Sequence, residues 1–116
     1  MKEVAITSVA NAEHYQWGNN CDGWHLLKSN ELSVIQEQMP LGTSEHLHYH
    51  IIAQQLFYIL SGTSSFIIEE KEYEVNSNES IFIPSGIKHQ IKNTKNLPLT
   101  FLVISQPKAH GDRINL

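Results

Sequence analysis

Apolar residues along the chain occur in short runs, and each run ends at polar, glycine or proline residues. Runs of this length between turn-forming residues are typical of β-strands. No window of a dozen residues carries the apolar stripe of an amphipathic helix. The pattern therefore predicts an all-β protein. The predicted strands cover residues 23–29, 32–39, 44–51, 55–62, 64–70, 71–76, 79–84, 89–93 and 99–105.

The segments between these strands indicate how the strands are joined. Each of the four prolines lies at a predicted strand boundary, where a missing N–H group is tolerated. A hairpin is predicted around Glu70 and Lys71, although that turn contains no glycine. This many short strands in 116 residues predict one domain, residues 1–116, built as a β-sandwich or barrel.

The charge balance narrows the range of partners. Eight Lys and Arg residues against twelve Asp and Glu residues give a net charge of −4, and the basic residues are scattered. Such a surface does not collect phosphates, so binding to nucleic acid or anionic membranes is not expected. The apolar runs are far shorter than a membrane span, and the N-terminus lacks the apolar stretch of a signal peptide. With one cysteine, Cys21, no internal disulfide can form, and a cytoplasmic protein is expected.

The stretch EHLHYH has histidines at alternate positions, His46, His48 and His50. On a strand covering 44–51, all three side chains would point to the same face. Buried imidazoles each need a polar partner, so this would be a poor core face. Imidazole is, however, a good ligand for zinc, copper, iron and nickel. The alternative is a solvated strand face, and the spacing alone does not separate the two.

Two later residues could complete a metal site with these histidines. Gln55 follows His50 after a short turn, and His89 begins a predicted strand directly after a Pro84-x-Gly86 turn. Together these residues make the metal-site interpretation stronger than the alternating histidines do by themselves.

In these residues the chain resembles a small single-domain cupin, a jelly-roll barrel with a double-stranded β-helix. The first cupin motif is matched within residues 42–62 and the second within residues 78–93. Residues 63–77 separate the motifs, a short spacing similar to that of small microbial cupins. The matched positions are Gly42, His48, His50, position 55, Gly62, Pro84, Gly86, His89 and Asn93.

Two positions depart from the family pattern. Asn78 stands where the second motif begins with glycine, and asparagine is the residue that best tolerates a left-handed turn after glycine. Gln55 stands where the family has its metal-binding glutamate. Gln54 is adjacent, but only Gln55 keeps the family spacing to Gly62.

The resemblance implies that His48, His50, His89 and Gln55 bind one divalent transition metal, such as zinc, iron, manganese or nickel. Glutamine is neutral, so the site keeps more positive charge than it would with glutamate, while the amide oxygen can still coordinate. Metal affinity should fall somewhat, and the ion should be a stronger Lewis acid. The site also loses a carboxylate that could act as a general base.

The resemblance thus implies an enzyme acting on a small oxygenated substrate, a carbonyl, phenolic or sugar-like compound. Isomerase, cyclase or lyase chemistry fits a site without the glutamate, as in cupins of the polyketide-cyclase type. The alternatives are a metal-dependent dioxygenase and a non-catalytic cupin that binds a small ligand. A homodimer is also implied, since exposed edge strands favour pairing.

Two residues are candidates for acid–base catalysis. His46 would face the cavity beside the metal ligands if the strand is regular, and its pKa is naturally near neutrality; otherwise it is an exposed residue at the rim. Glu37 could point inward, or it could lie on a solvated strand face.

The C-terminal segment, residues 106–116, is polar and is expected to pack along the surface or fray. Aromatic residues expected in the barrel core are Trp24, Phe57, Phe66, Phe82 and Phe101.

Overall fold

The computed structural model describes residues 3–116 and confirms the all-β prediction. The described residues contain no helix, and hence none with the length and apolar character needed to cross a membrane. The strands are β1 (Glu13–Trp17), β2 (Cys21–Lys28), β3 (Ser33–Met39), β4 (His48–His50), β5 (Gln54–Ser61), β6 (Thr63–Ile68), β7 (Lys71–Asn76), β8 (Ser80–Ile83), β9 (His89–Lys92), β10 (Leu99–Gln106) and β11 (Arg113–Asn115).

The strands form two antiparallel sheets that make a double-stranded β-helix. A six-stranded sheet has the order β1-β2-β3-β10-β5-β8, and a five-stranded sheet has the order β11-β4-β9-β6-β7. The apolar faces of both sheets meet in one core, which excludes a large apolar area from water. Its largest fully buried apolar side chains are Phe66, Phe101, Met39, Ile59, Ile83, Ile91 and Leu99.

The hairpin predicted between residues 64–70 and 71–76 is confirmed, and its turn lies one residue earlier than expected. Glu69 and Glu70 have φ values of 48° and 70°. Two consecutive residues with positive φ match the twist of a hairpin, and here they are adopted without glycine. Asn78, at the glycine position of the second motif, also has a positive φ of 67°, as its residue type predicted.

The sequence pattern missed two strands, and two expectations about local structure are wrong. Strands β1 and β11 were not predicted, because few of their side chains are buried and they carry no clear apolar alternation. The strand predicted for 44–51 is confined to β4. Phe82 is 54% exposed, because it lies on the outer face of β8 at the edge of the six-stranded sheet.

Hydrogen bonds between the two motifs position the site. The backbone N–H of Gly42 donates to the carbonyl of Asn93 (2.9 Å), and the Asn93 side-chain amide donates to the carbonyls of Met39 and Leu97. At the other end, the N–H of Gly86 donates to the carbonyl of His50 (2.7 Å). The turn that precedes β9 is thus attached directly to β4.

Candidate metal centre

Three buried histidines meet where β4 and β9 pair. His48 and His50 lie on one face of β4, and His89 begins β9 directly opposite His48 in the ladder. Each ring offers a nitrogen, and these nitrogens lie within 4.8 Å of one another. The rings are 1–5% exposed, so the three residues form an enclosed cluster that could hold a metal ion.

Backbone carbonyls fix two of the rings. Nδ1 of His48 donates to the carbonyl of His46 (2.8 Å), and Nδ1 of His89 donates to the carbonyl of Ile87 (2.9 Å). A carbonyl oxygen can only accept, so each ring carries its proton on Nδ1 and keeps a lone pair on Nε2. Nε2 of His89 is buried and has no hydrogen-bond partner among residues 3–116. Rings oriented in this way are typical of metal ligands.

The rings are also held in the neutral form. Burial lowers the pKa of His48 to about 3 and that of His50 to about 4, and it lowers the pKa of His89 as well. The nearby Arg113 guanidinium adds to the shift in all three. Neutral imidazole is the form that binds metals, so the cluster is ready to coordinate at neutral pH.

Gln55 lines the same cavity inside the fold as His48 and His50, and its side chain carries an amide oxygen. Its side chain is buried, and Nε2 donates to Oγ of Ser105 (3.0 Å), the residue directly opposite on β10. Oε1 is buried and has no hydrogen-bond partner in the part of the chain that the structure describes. Gln54 is exposed and bonds Gln106, so it takes no part in the site. Three neutral imidazoles and one unpartnered amide oxygen fit a divalent transition metal.

His46 does not share the face of His48 and His50. Regular β4 begins at His48, and the His46 side chain is exposed outside the cavity wall. The alternation therefore breaks between Glu45 and His48, and it is the Glu45 side chain that enters the cavity. A catalytic role for His46 stays a prediction; its backbone carbonyl, not its ring, contacts the cluster.

Two of the three histidines, His48 and His50, line a cavity of about 1020 Å³. Glu45 lies on its wall, 3.8 Å from Nδ1 of His48, too far for a hydrogen bond. Arg113 of β11 approaches its other oxygen (3.3 Å). Burial raises the pKa of Glu45 to about 7, although the Arg113 guanidinium opposes the shift.

A second acidic residue, Glu37, also lines the cavity. From the sequence, its side chain could point inward or lie on a solvated strand face. Tyr15 donates a short hydrogen bond to Oε2 of Glu37 (2.5 Å). Burial raises the pKa of Glu37 to about 8, against the lowering effect of that bond. A usable signal was present: Glu37 has the same parity as Ile35 and Met39 in a regular strand, which puts it on the inner face.

The C-terminal segment packs along the surface, as expected, and it also forms part of the cavity wall. The Asp112 carboxylate accepts hydrogen bonds from the N–H groups of Ile52 and Ala53, and strand β11 pairs with β4. Lys108, Ala109, His110, Gly111, Arg113 and Asn115 line the cavity. The backbone hydrogen bonds of this segment can be made by any residue type, so they could not be predicted from the sequence.

Fold and site together define a small β-barrel protein with a histidine cluster suited to a metal. The chain belongs to the cupin family: the cupin domain model matches residues 35–105. It is 30% identical to an uncharacterised protein of Methanocaldococcus jannaschii over 89 residues, which are 76% of this chain and 71% of that protein. It is 34% identical to an oxalate-binding protein of Thermotoga maritima over 67 residues, 58% of this chain and 55% of that protein.

A solved structure has a similar fold. A polyketide cyclase from Streptomyces resistomycificus matches with a TM-score of 0.83 over 98% of this chain and 86% of its own, at 16% identity. At that identity, the likeness concerns the fold.

Proposed function

We propose that this cupin binds one divalent transition metal, zinc, iron, manganese or nickel, through His48, His50, His89 and Gln55. The observation that carries this proposal is that two buried atoms of the proposed ligands, Nε2 of His89 and Oε1 of Gln55, have no hydrogen-bond partner among the described residues. Unpartnered buried polar atoms are costly, and a bound ion would satisfy them. When bound, the metal would supply a Lewis acid that polarises an oxygen of the substrate.

We infer that the protein is an enzyme acting on a small oxygenated substrate, by isomerase, cyclase or lyase chemistry. The cavity has room for a small organic molecule. Apolar side chains such as Phe57 and Val103 line the cavity together with the proposed metal ligands and exclude water. Glu37 and Glu45 also line the cavity and can hold or release protons. Gln55 supplies no carboxylate, which disfavours mechanisms that need one at the metal, as some dioxygenases do.

The second candidate function is a binding module that holds a small ligand without converting it. The oxalate-binding relative from Thermotoga maritima favours this alternative. Oxalate incubated with metal-loaded protein tests it. Tight binding with unchanged oxalate, together with no turnover of carbonyl or phenolic compounds, would support the binding module. Oxygen consumption with phenolic compounds would instead indicate a dioxygenase.

Metal analysis tests the site itself. Wild type, His48→Ala and the control His14→Ala are purified identically, dialysed against chelator and reloaded with zinc or manganese. His14 is a good control because it is an exposed histidine paired with Asp22, away from the cavity. We expect about one ion per chain in wild type and His14→Ala, and little in His48→Ala. A wild-type protein that takes up no metal would refute the proposed site.

We also propose that residues 1–116 act as one domain in the cytoplasm and that the domain forms a homodimer. The outer strands of the six-stranded sheet, β1 and β8, and those of the five-stranded sheet, β11 and β7, each pair on one side only. Edges of this kind can pair with a second copy. Light scattering after size-exclusion chromatography measures the mass, and a monomer at all concentrations would contradict the dimer.

A further inference from the structure

The backbone register explains why Glu37 and Tyr15 meet although their strands are not neighbours. Tyr15 of β1 and Glu37 of β3 both lie opposite Gly23 of β2, one on each side. Gly23 has no side chain, and a Cβ at this position would clash with the Tyr15 ring. The tyrosine therefore reaches across β2 to the carboxyl group. On the other side of β3, the partner of Glu37 is the apolar Phe101.

The groups around Glu37 act on its pKa in opposite directions. Tyr15, itself 5.1 Å from the His25 ring, bonds Oε2. Glu45 before β4 and Arg113 of β11 act on Glu37 with opposite signs. Burial is the largest effect and raises its pKa to about 8. A group with a pKa near the working pH is well suited to proton transfer.

We propose that Glu37 is the proton-transfer group of this cavity, held in position by Tyr15, and that it removes a proton from a carbon next to a carbonyl group of the substrate. The inference rests on the proposed metal-dependent function, which it deepens by naming the acid–base residue and the substrate class, an enolisable carbonyl compound. Tyr15 occupies Oε2, so Oε1 remains to accept the proton. Glu37 would thus supply the carboxylate that Gln55 does not.

The step balances with the residues present. The ionised Glu37 carboxylate takes the α-proton, so that a C–H bond breaks and an O–H bond forms. The C–H electron pair becomes the new C=C bond, and the carbonyl π pair moves onto the carbonyl oxygen, giving an enolate. The carboxyl group then exchanges this proton with solvent, and protonation of the same carbon restores the compound with a solvent hydrogen. In an α-hydroxy carbonyl compound, the α-hydroxyl proton passes to the enolate oxygen and Glu37 protonates the former carbonyl carbon, which isomerises the compound. Tyr15 keeps its proton throughout and acts only as a positioning residue.

Hydrogen–deuterium exchange tests this step without knowledge of the natural substrate. Zinc-loaded protein is incubated in D2O with hydroxyacetone, pyruvate or dihydroxyacetone, and loss of the α-proton signal is followed by proton NMR. We expect wild type to catalyse exchange of at least one probe, with a rate that rises with pH and levels off once the Glu37 carboxyl, whose pKa is raised by burial, has ionised. Glu37→Gln should lower the rate by about a hundredfold or more and remove the rise with pH. Glu37→Asp should restore part of the rate.

Matched variants separate a chemical role from a structural one. Glu74→Gln and Tyr73→Phe change exposed residues of β7 in the same chemical way and should behave as wild type. Tyr15→Phe removes a bond that lowers the pKa of Glu37, so its rate should rise at higher pH than that of wild type. A merely structural role would not move this profile. The carboxyl resonance of Glu37 in carbon-13 labelled protein should show the same shift without any substrate.

The outcomes distinguish this inference from the proposed function. If wild type binds no zinc, the proposed function fails, and the inference fails with it. If zinc-loaded wild type catalyses exchange and Glu37→Gln, with equal zinc content, does so at the same rate, only the assignment of Glu37 is overturned. If loaded wild type exchanges none of the probes, the inference is overturned while the metal site stands.

Discussion

Replacing Ser105 by alanine tests whether the orientation of Gln55 matters for metal binding. Ser105 and Gln55 are 2% and 6% exposed, and the bond between them is 3.0 Å long. The change leaves the Nε2 donor of Gln55 buried without a partner, which costs about 1–3 kcal/mol. For a domain of this size, this lowers the melting temperature of the metal-free protein by roughly 4–12 °C.

The same change should weaken metal binding. Without Ser105, nothing holds the amide of Gln55 with its oxygen free, and loss of a residue that orients a ligand typically costs about 10–100-fold in affinity. Zinc titration against a competing chelator measures this loss, with the exposed Ser80→Ala as the control. The effect should vanish in a Gln55→Ala background, because there is no ligand left to orient. Wild-type zinc affinity in Ser105→Ala would refute ligation by Gln55.

Three further predictions concern variants of Gln55, His46 and Glu37. Gln55→Glu should bind zinc at least about tenfold more tightly, because an anionic ligand replaces a neutral one; weaker binding in the same chelator titration would contradict the assignment. His46→Ala should keep full zinc occupancy by metal analysis, since the backbone carbonyl orients His48, and loss of zinc would show that the ring is needed. The raised pKa of Glu37 means that the contribution of this residue to stability falls as pH rises from about 4.5 to about 8, because the native carboxyl keeps a proton that the unfolded chain releases. Urea unfolding should therefore show that the free energy of unfolding of Glu37→Gln increases relative to that of wild type across this pH range. The free energy of unfolding of Glu74→Gln should differ from that of wild type by a constant amount. A constant difference for both variants would contradict the raised pKa of Glu37.

Most of the barrel was predictable because its strands bury one face. In β10, for example, buried and half-buried residues alternate from Leu99 to Ser105, so burial and sequence pattern coincide. Strands β1 and β11 are held mainly by backbone bonds to a single neighbour, and such bonds are the same for every residue type. Alternation of residue types could therefore not reveal them.

Site residues whose positions follow from motif spacing could be predicted from the sequence. Site residues that come together only through folding were harder to predict. His48, His50 and His89 follow the family spacing, and the structure brings them together. The prediction for His46 assumed a continuous strand, and the backbone departs from one just before His48. The bond from Tyr15 to Glu37 crosses an intervening strand, a contact that no sequence spacing encodes.

The C-terminal segment has a consequence for how this barrel can diversify. The residues matched by the cupin model end at 105, while residues 108–115 supply part of the cavity wall. This wall is attached largely through Asp112 and the backbone of β11. Substitutions between these anchors can therefore reshape what the cavity admits while leaving the histidine cluster and the core untouched. Ligand preference and metal chemistry can thus evolve separately within one small domain.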